Sequence, residues 1–188
     1  VPGLTPSLYN FSLNKNPKYV SFIGRISPEK GILEFLSCAK ELPQIPFVVI
    51  GEITQELQYL KNVSSKNVDW IGFQSGEKLD QWFQDSRIVV VPSKWYEGFP
   101  NVITQAMKHS RPVITSNLGA MASIIDNEKN GLLFEKGNYI DLKEKVNHLY
   151  QDEKLCKLYG ENAFNKAKIE YSSKAIYNSL LKVYRNIN

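Results

Sequence analysis

Val91-Pro-Ser-Lys-Trp-Tyr-Glu-Gly-Phe-Pro-Asn-Val-Ile-Thr-Gln-Ala-Met-Lys-His-Ser110 reads as the end of a buried strand, an acidic turn and a helix. The residues leading into it, Arg87-Ile-Val-Val-Val91, form a β-branched run of the kind that fits a parallel strand covered on both faces. Pro92 has no N–H to give and ends the strand. After the turn, Pro100 is expected at the first position of a helix, where a missing N–H and a fixed φ are tolerated, and Val102, Ile103, Ala106 and Met107 follow at helical spacing. Glu97 is therefore expected beside a helix N-terminus, near the free backbone N–H groups of Asn101 and Val102. In an open parallel sheet the carboxyl ends of the strands are where ligands bind.

Working outward, the same alternation of strand and helix repeats. Tyr19–Ile23 is a strand closed by Gly24-Arg25, and Gly31 to Leu42 is an amphipathic helix with Ile32, Phe35, Leu36 and Ala39 on one face. Strand Phe47–Ile50 is followed by a helix through Leu57 and Leu60, and strand Val68–Ile71 by a helix over Lys78 to Phe83. Ile88–Val91 with the Pro100 helix makes a fourth unit, and Pro112–Thr115 with a helix from Gly119 through Ile124 and Ile125 a fifth. Leu132–Phe134 is a last short strand. Alternation with short Gly- and Pro-containing joints indicates an α/β fold, a doubly wound parallel sheet of Rossmann type. From Tyr139 onward there is no strand signal, and the chain reads as helices broken near Asp152, Gly160 and Ser172. Val1 to Lys18, with Pro2, Pro6 and Pro17, reads as a turn-rich linker, and the opening at Val1 without Met, signal segment or membrane-spanning run is expected of a piece of a longer protein.

A length of 188 residues with 43% hydrophobic content suits one well-filled domain. The net charge of +4 comes from scattered lysines without a basic stripe, which argues against a nucleic-acid surface and suits contact with a nucleotide or anionic lipid. Cys38 and Cys156 are expected as reduced core thiols, since no pair stands at metal-ligand spacing. His109 and His148, the two histidines, read as surface or helix-end residues and make no zinc set. Arg25 and Lys30 stand in a loop directly after the first strand, on the same rim as Glu97. Two cations and a helix N-terminus converging on one crevice make an anion site, and a diphosphate would use all three.

The order Glu97-Gly-Phe, helix, Ala106-Met, then Arg111-Pro-Val-Ile-Thr-Ser116 resembles the donor-site signature of the retaining GT-B glycosyltransferases of family four, and the resemblance runs from Val20 to Tyr184. It implies the carboxyl-terminal, donor-binding lobe of a two-lobed enzyme. Members carry two glutamates with seven residues between them; here the first is Glu97 and the second position is Gln105, while Ser123 falls where the family often has another glutamate.

The resemblance assigns roles residue by residue. Arg25 and Lys30 would hold the diphosphate and stabilise it as it leaves, with Gly24 alongside, in place of a metal ion. Glu97 would accept hydrogen bonds from donor-sugar hydroxyls, Phe99 would border the donor, and Asn101 and Val102 would offer N–H groups to the phosphates. Gln105 would meet the ribose, and Phe73 and Gln74, placed on the rim beside the crevice, the base. The expected substrate is a nucleoside diphosphate sugar, most simply a UDP-sugar, with no cofactor and no metal. Expected partners are the amino-terminal lobe and a glycan or lipid-linked acceptor, in the cytoplasm or at the inner face of the membrane. A GT-B epimerase, or a lobe that binds a nucleotide sugar or a partner chain without catalysis, carries the same residues, and Gln105 and Ser123 keep the latter open.

Overall fold

The structure is a computed structural model that describes residues 16–172, together with 175 and 177. Residues 1–15 of the expected linker, and nearly all of the expected terminal helix Ser172 to Ile187 with Ile176, Leu180, Leu181 and Tyr184, lie outside the described residues.

In chain order the elements are β1 (Tyr19–Ile23), α1 (Ile32–Glu41), β2 (Phe47–Ile50), α2 (Tyr59–Val63), β3 (Val68–Gly72), α3 (Gly76–Asp85), β4 (Ser86–Val91), α4 (Asn101–Lys108), β5 (Val113–Ser116), α5 (Gly119–Ile124), β6 (Gly131–Phe134), α6 (Tyr139–Gln151) and α7 (Glu153–Glu170). The six strands form one sheet in the order β3-β2-β1-β4-β5-β6, and every pairing is parallel. Parallel neighbours need crossovers, and right-handed crossovers running first one way from β1 and then the other place helices on both faces. The doubly wound, Rossmann-like sheet expected from the alternation is the sheet observed.

The central strands alternate between two cores. Val20, Phe22, Ile88, Val90, Ile114 and Phe134 pack with Phe35 of α1 and with Leu142, Val146 and Leu149 of α6. Val89, Val91 and Val113 pack on the opposite face with Ile103 and Met107 of α4, Met121 of α5 and Ala163 of α7. Each of those β4 and β5 residues is buried on its own face, which is why the strands read as continuous apolar runs instead of alternating ones.

Three local readings are corrected. Pro100 is the N-cap of α4, with φ −78° and ψ 86°, and Asn101 is the first helical residue. The extended ψ at Pro100 turns the chain out of the loop before the helix starts, a step that a proline already inside the helix could not make. Gly160 does not break the last helices: α7 runs from Glu153 through it to Glu170. A Cβ on Gly160 would overlap the carbonyl oxygen of Ser110, so its role is the close approach of α7 to the end of α4.

His109 does follow the last turn of α4, yet it is buried instead of exposed. Its Nε2 lies 2.9 Å from Asp80 Oδ1, and its ring stacks on Phe83 at 5.5 Å. Burial pushes its pKa down, against the upward pull of Asp80 and together with the positive charges of Lys108 and Arg111. A histidine whose folded pKa lies below the unfolded value of about 6.5 contributes stability that is present above that value and is lost as pH falls through the folded pKa. The unfolding midpoint is therefore expected to fall between pH 7.5 and pH 5, and His109→Gln to flatten that fall. Parallel midpoint-versus-pH curves for the two proteins would contradict this assignment.

Candidate functional site

Strand order reverses between β1 and β4, since β2 and β3 extend on one side of β1 and β5 and β6 on the other side of β4. The two strands' outgoing loops part there and leave a crevice at their carboxyl ends, the place where open α/β sheets bind ligands. A cleft of about 260 Å³ occupies that point. Its walls are Ile23, Gly24 and Arg25 at the end of β1, Lys30, the β4 end through Ser93, then Glu97, Phe99 and the start of α4 at Asn101 and Val102.

Two loops carry the charged groups, and they are fastened to each other. The backbone N–H of Lys94 donates to the carbonyl of Glu29 at 2.8 Å, and Ser93 Oγ lies 3.3 Å from the same oxygen. Gly31 stands at φ +78° between the 3₁₀ turn Pro28–Lys30 and α1, directly against the Pro92 carbonyl. The Lys30 side chain then reaches across the crevice: its Nζ lies 2.6 Å from Glu97 Oε1. Ser93 Oγ donates to that same oxygen at 2.8 Å. Ser93 is fully buried. Arg25 Nη2 pairs with Glu29 Oε1 at 3.0 Å on the outer side of the same turn. The Glu29 carboxyl is held below the usual carboxylate range, first by a bond from its own backbone N–H and next by Ser27.

At the start of α4 the first intrahelical bond is Ile103 N–H to the Pro100 carbonyl at 2.9 Å. The N–H groups of Asn101 and Val102 come before it in the helix and border the cleft. The Phe99 ring meets Tyr171 edge-on at 5.9 Å, which ties the acidic turn to the end of α7. Burial raises the Tyr171 hydroxyl to about 12, so it is neutral at ordinary pH.

Arg25, Lys30, Glu97, Gly24, Phe99, Asn101 and Val102 are thus brought together. Three other sequence candidates stand apart from the cleft. Gln105 lies one turn beyond Asn101 on the same exposed face of α4, outside the residues that line the cleft. Phe73 and Gln74 follow β3, which is the outermost strand and two strands from β1, so they are further along the rim and not beside the crevice. Phe73 is 71% exposed, so it does not serve as a packing residue here. Ser123 donates to the carbonyl of Ala120 at 2.8 Å and acts within its own helix. Ser93 carries no signal in the sequence; a lone serine after a strand-ending proline gives no sign that it will face a carboxylate from four residues on. Among the described residues no three His, Cys, Asp or Glu side chains stand together as a metal site, and no helix is long and apolar enough to cross a membrane.

Residues 9–166 match the family described as "Glycosyl transferases group 1". A glycosyltransferase of Methanocaldococcus jannaschii is 31% identical over 96% of this chain and 49% of its own length. The solved C-terminal domain of a glycosyl transferase group 1 family protein, LpcC of Francisella tularensis, superposes with a TM-score of 0.74 at 28% identity, covering 84% of this chain and 87% of that one. Anabaena HepE, solved in complex with UDP, shares the fold with a TM-score of 0.82 at 22% identity, over 91% of this chain and 49% of that one. The chain spans about half the length of the curated relatives it matches. Together with the cleft at the switch point of a Rossmann-like half, these matches show that the chain belongs to the group 1 glycosyl transferases and corresponds to their C-terminal domain.

Proposed function

We propose that this chain is the donor-binding lobe of an enzyme that moves a hexosyl group, with retention, from a nucleoside diphosphate sugar to a glycan or lipid-linked acceptor. The observation that carries the reading is the convergence of Arg25, Lys30, Glu97 and the α4 N-terminus on one cleft at the switch point. When the bond from sugar to diphosphate breaks, negative charge grows on the leaving oxygen. A planar guanidinium, an ammonium and backbone N–H groups already aimed at that place stabilise it without a metal ion. Glu97, a charged acceptor, suits the hydroxyls of the donor sugar. UDP is the nucleotide we assign, supported by its presence in the solved complex of Anabaena HepE.

In this reading residues 1–18 are a linker, 19–170 the nucleotide-sugar-binding domain, and 171–188 the segment that braces the amino-terminal lobe. The enzyme works in the cytoplasm, at the inner face of the membrane where the acceptor is lipid-linked. Transfer needs donor and acceptor at near-attack distance with water excluded, and the charged groups here line one open crevice. The chain by itself is therefore expected to bind nucleoside diphosphates and transfer nothing. Calorimetric titration with UDP, GDP and ADP tests the first part, and a search for glycosylated product with a range of acceptors tests the second. Absence of any nucleotide binding would remove the reading, and turnover by the chain alone would place acceptor chemistry within it.

Gln105 favours a second reading, a lobe that binds without catalysis. A carboxamide accepts through one oxygen where a carboxylate has two, so contact with a ribose diol is weakened. Gln105→Glu is expected to tighten nucleotide binding several-fold. No gain on titration would place the ribose elsewhere.

A further inference from the structure

We propose that Glu97 discriminates the intact donor from the spent nucleoside diphosphate by competing for Lys30, an inference that rests on reading the cleft as a nucleotide-sugar site. Both bonds described for the Glu97 carboxylate converge on Oε1: Lys30 Nζ at 2.6 Å and Ser93 Oγ at 2.8 Å. The buried serine fixes that oxygen against the lysine, and Oε2 takes no hydrogen bond among the described residues. Glu97 therefore neutralises one cation of the anion site and at the same time keeps an unused acceptor on a side chain that lines the cleft. Arg25 is paired with Glu29 on the neighbouring turn, so each cation of the cleft already has a carboxylate partner.

A phosphate oxygen bonded to Lys30 would stand within about 5.5 Å of the Glu97 carboxylate, well inside the screening length of ordinary buffers. The two ligands meet that carboxylate differently. In the donor, the sugar is esterified to the outer phosphate, which lacks its second ionisation, and the sugar hydroxyls can donate to Oε2. In the spent nucleotide the outer phosphate is free, carries close to one further negative charge at neutral pH because its second pKa is about 6, and has no hydroxyl to offer in the sugar's place. Glu97 attracts the first ligand through Oε2 and repels the second while holding Lys30 back from it. After transfer the same group favours release of the leaving diphosphate, so the carboxylate that positions the sugar also clears the site for the next donor.

The test is calorimetric titration of the unchanged chain, Glu97→Gln, Lys30→Met and the double variant with UDP, GDP and ADP and with their glucose esters. Glu97→Gln keeps the shape of the side chain and removes its charge. It should bind the free diphosphate about tenfold more tightly, while affinity for the glucose ester is unchanged or falls. In the Lys30→Met background only the direct repulsion is left, so the gain should be clearly smaller than in the unchanged background. Equal shifts for both ligands, no gain for the free diphosphate, or the full gain persisting without Lys30 would each overturn the proposal while leaving the nucleotide-binding reading intact. Failure of the unchanged chain to bind any of the six probes would remove that reading and this inference with it.

Discussion

Gly31→Ala is expected to lower the unfolding midpoint by roughly 10 °C, about 3–4 kcal/mol at the 2–4 °C per kcal/mol usual for a domain of this size. Two effects add at this residue. Its φ of +78° belongs to the left-handed region, where an L side chain costs about 1–2 kcal/mol. In addition, the new Cβ would overlap the Pro92 carbonyl oxygen and stand 2.7 Å from the Pro92 carbonyl carbon. Pro92 directly follows β4, a strand hydrogen-bonded between β1 and β5, and the next loop is fastened to Glu29, so neither side can withdraw cheaply. Gly137→Ala separates the two effects, because Gly137 has φ +80° and nothing within 4 Å of the added Cβ. That variant should lose only the backbone part, a few degrees by scanning calorimetry. Equal losses in the two variants would mean that the contact between the Lys30 turn and the end of β4 does not constrain the fold.

Removing either cation of the cleft should weaken nucleoside diphosphate binding about ten- to a hundredfold, the effect of losing one hydrogen bond to a charged group at roughly 1.5–3 kcal/mol. Lys30→Met should sit at the upper end and Arg25→Ala at the lower. The Lys30 side chain is 31% exposed and reaches across the crevice to Glu97, whereas Arg25 is 65% exposed and screened by solvent. The Arg25 share should accordingly shrink with added salt more than the Lys30 share. In the proposed two-lobed enzyme the loss in turnover should exceed the loss in donor binding, because charge on the departing diphosphate is greater in the transition state than in the bound donor. Unchanged affinity in both variants would withdraw the assignment of this loop to the diphosphate.

The elements of the fold were legible because their signals are local. Β-branched runs such as Ile88–Val91, helical spacing from Val102 to Met107, and Gly or Pro at the joints depend only on near neighbours in the chain, and β1 and β2 begin and end at the residues expected. Apart from the one-residue shift at Pro100, the errors fall where a distant segment decides. Gly160 resembles a helix breaker until Ser110 is seen against it, since a glycine required for close approach and a glycine that ends a helix look alike in one dimension. His109 looks like an exposed helix end until Asp80 and Phe83, both from α3, close over it.

By itself the sequence determined that the chain alternates strand and helix, that Arg25, Lys30 and Glu97 come at strand ends on one rim, and that the motif order resembles the family to which the chain belongs. Tertiary structure alone decided the order of the strands, and with it which rim residues meet. Placing β4 next to β1 brings Lys30 within 2.6 Å of Glu97 across 67 residues of chain, while placing β3 at the outer edge sets Phe73 and Gln74 apart. It also decided that the cations of the cleft are already paired with carboxylates and that buried Ser93 orients one of those pairs. Such pairings depend on how the crossovers wrap the sheet and which loops they press together, a long-range packing outcome that no spacing within a single strand or helix encodes.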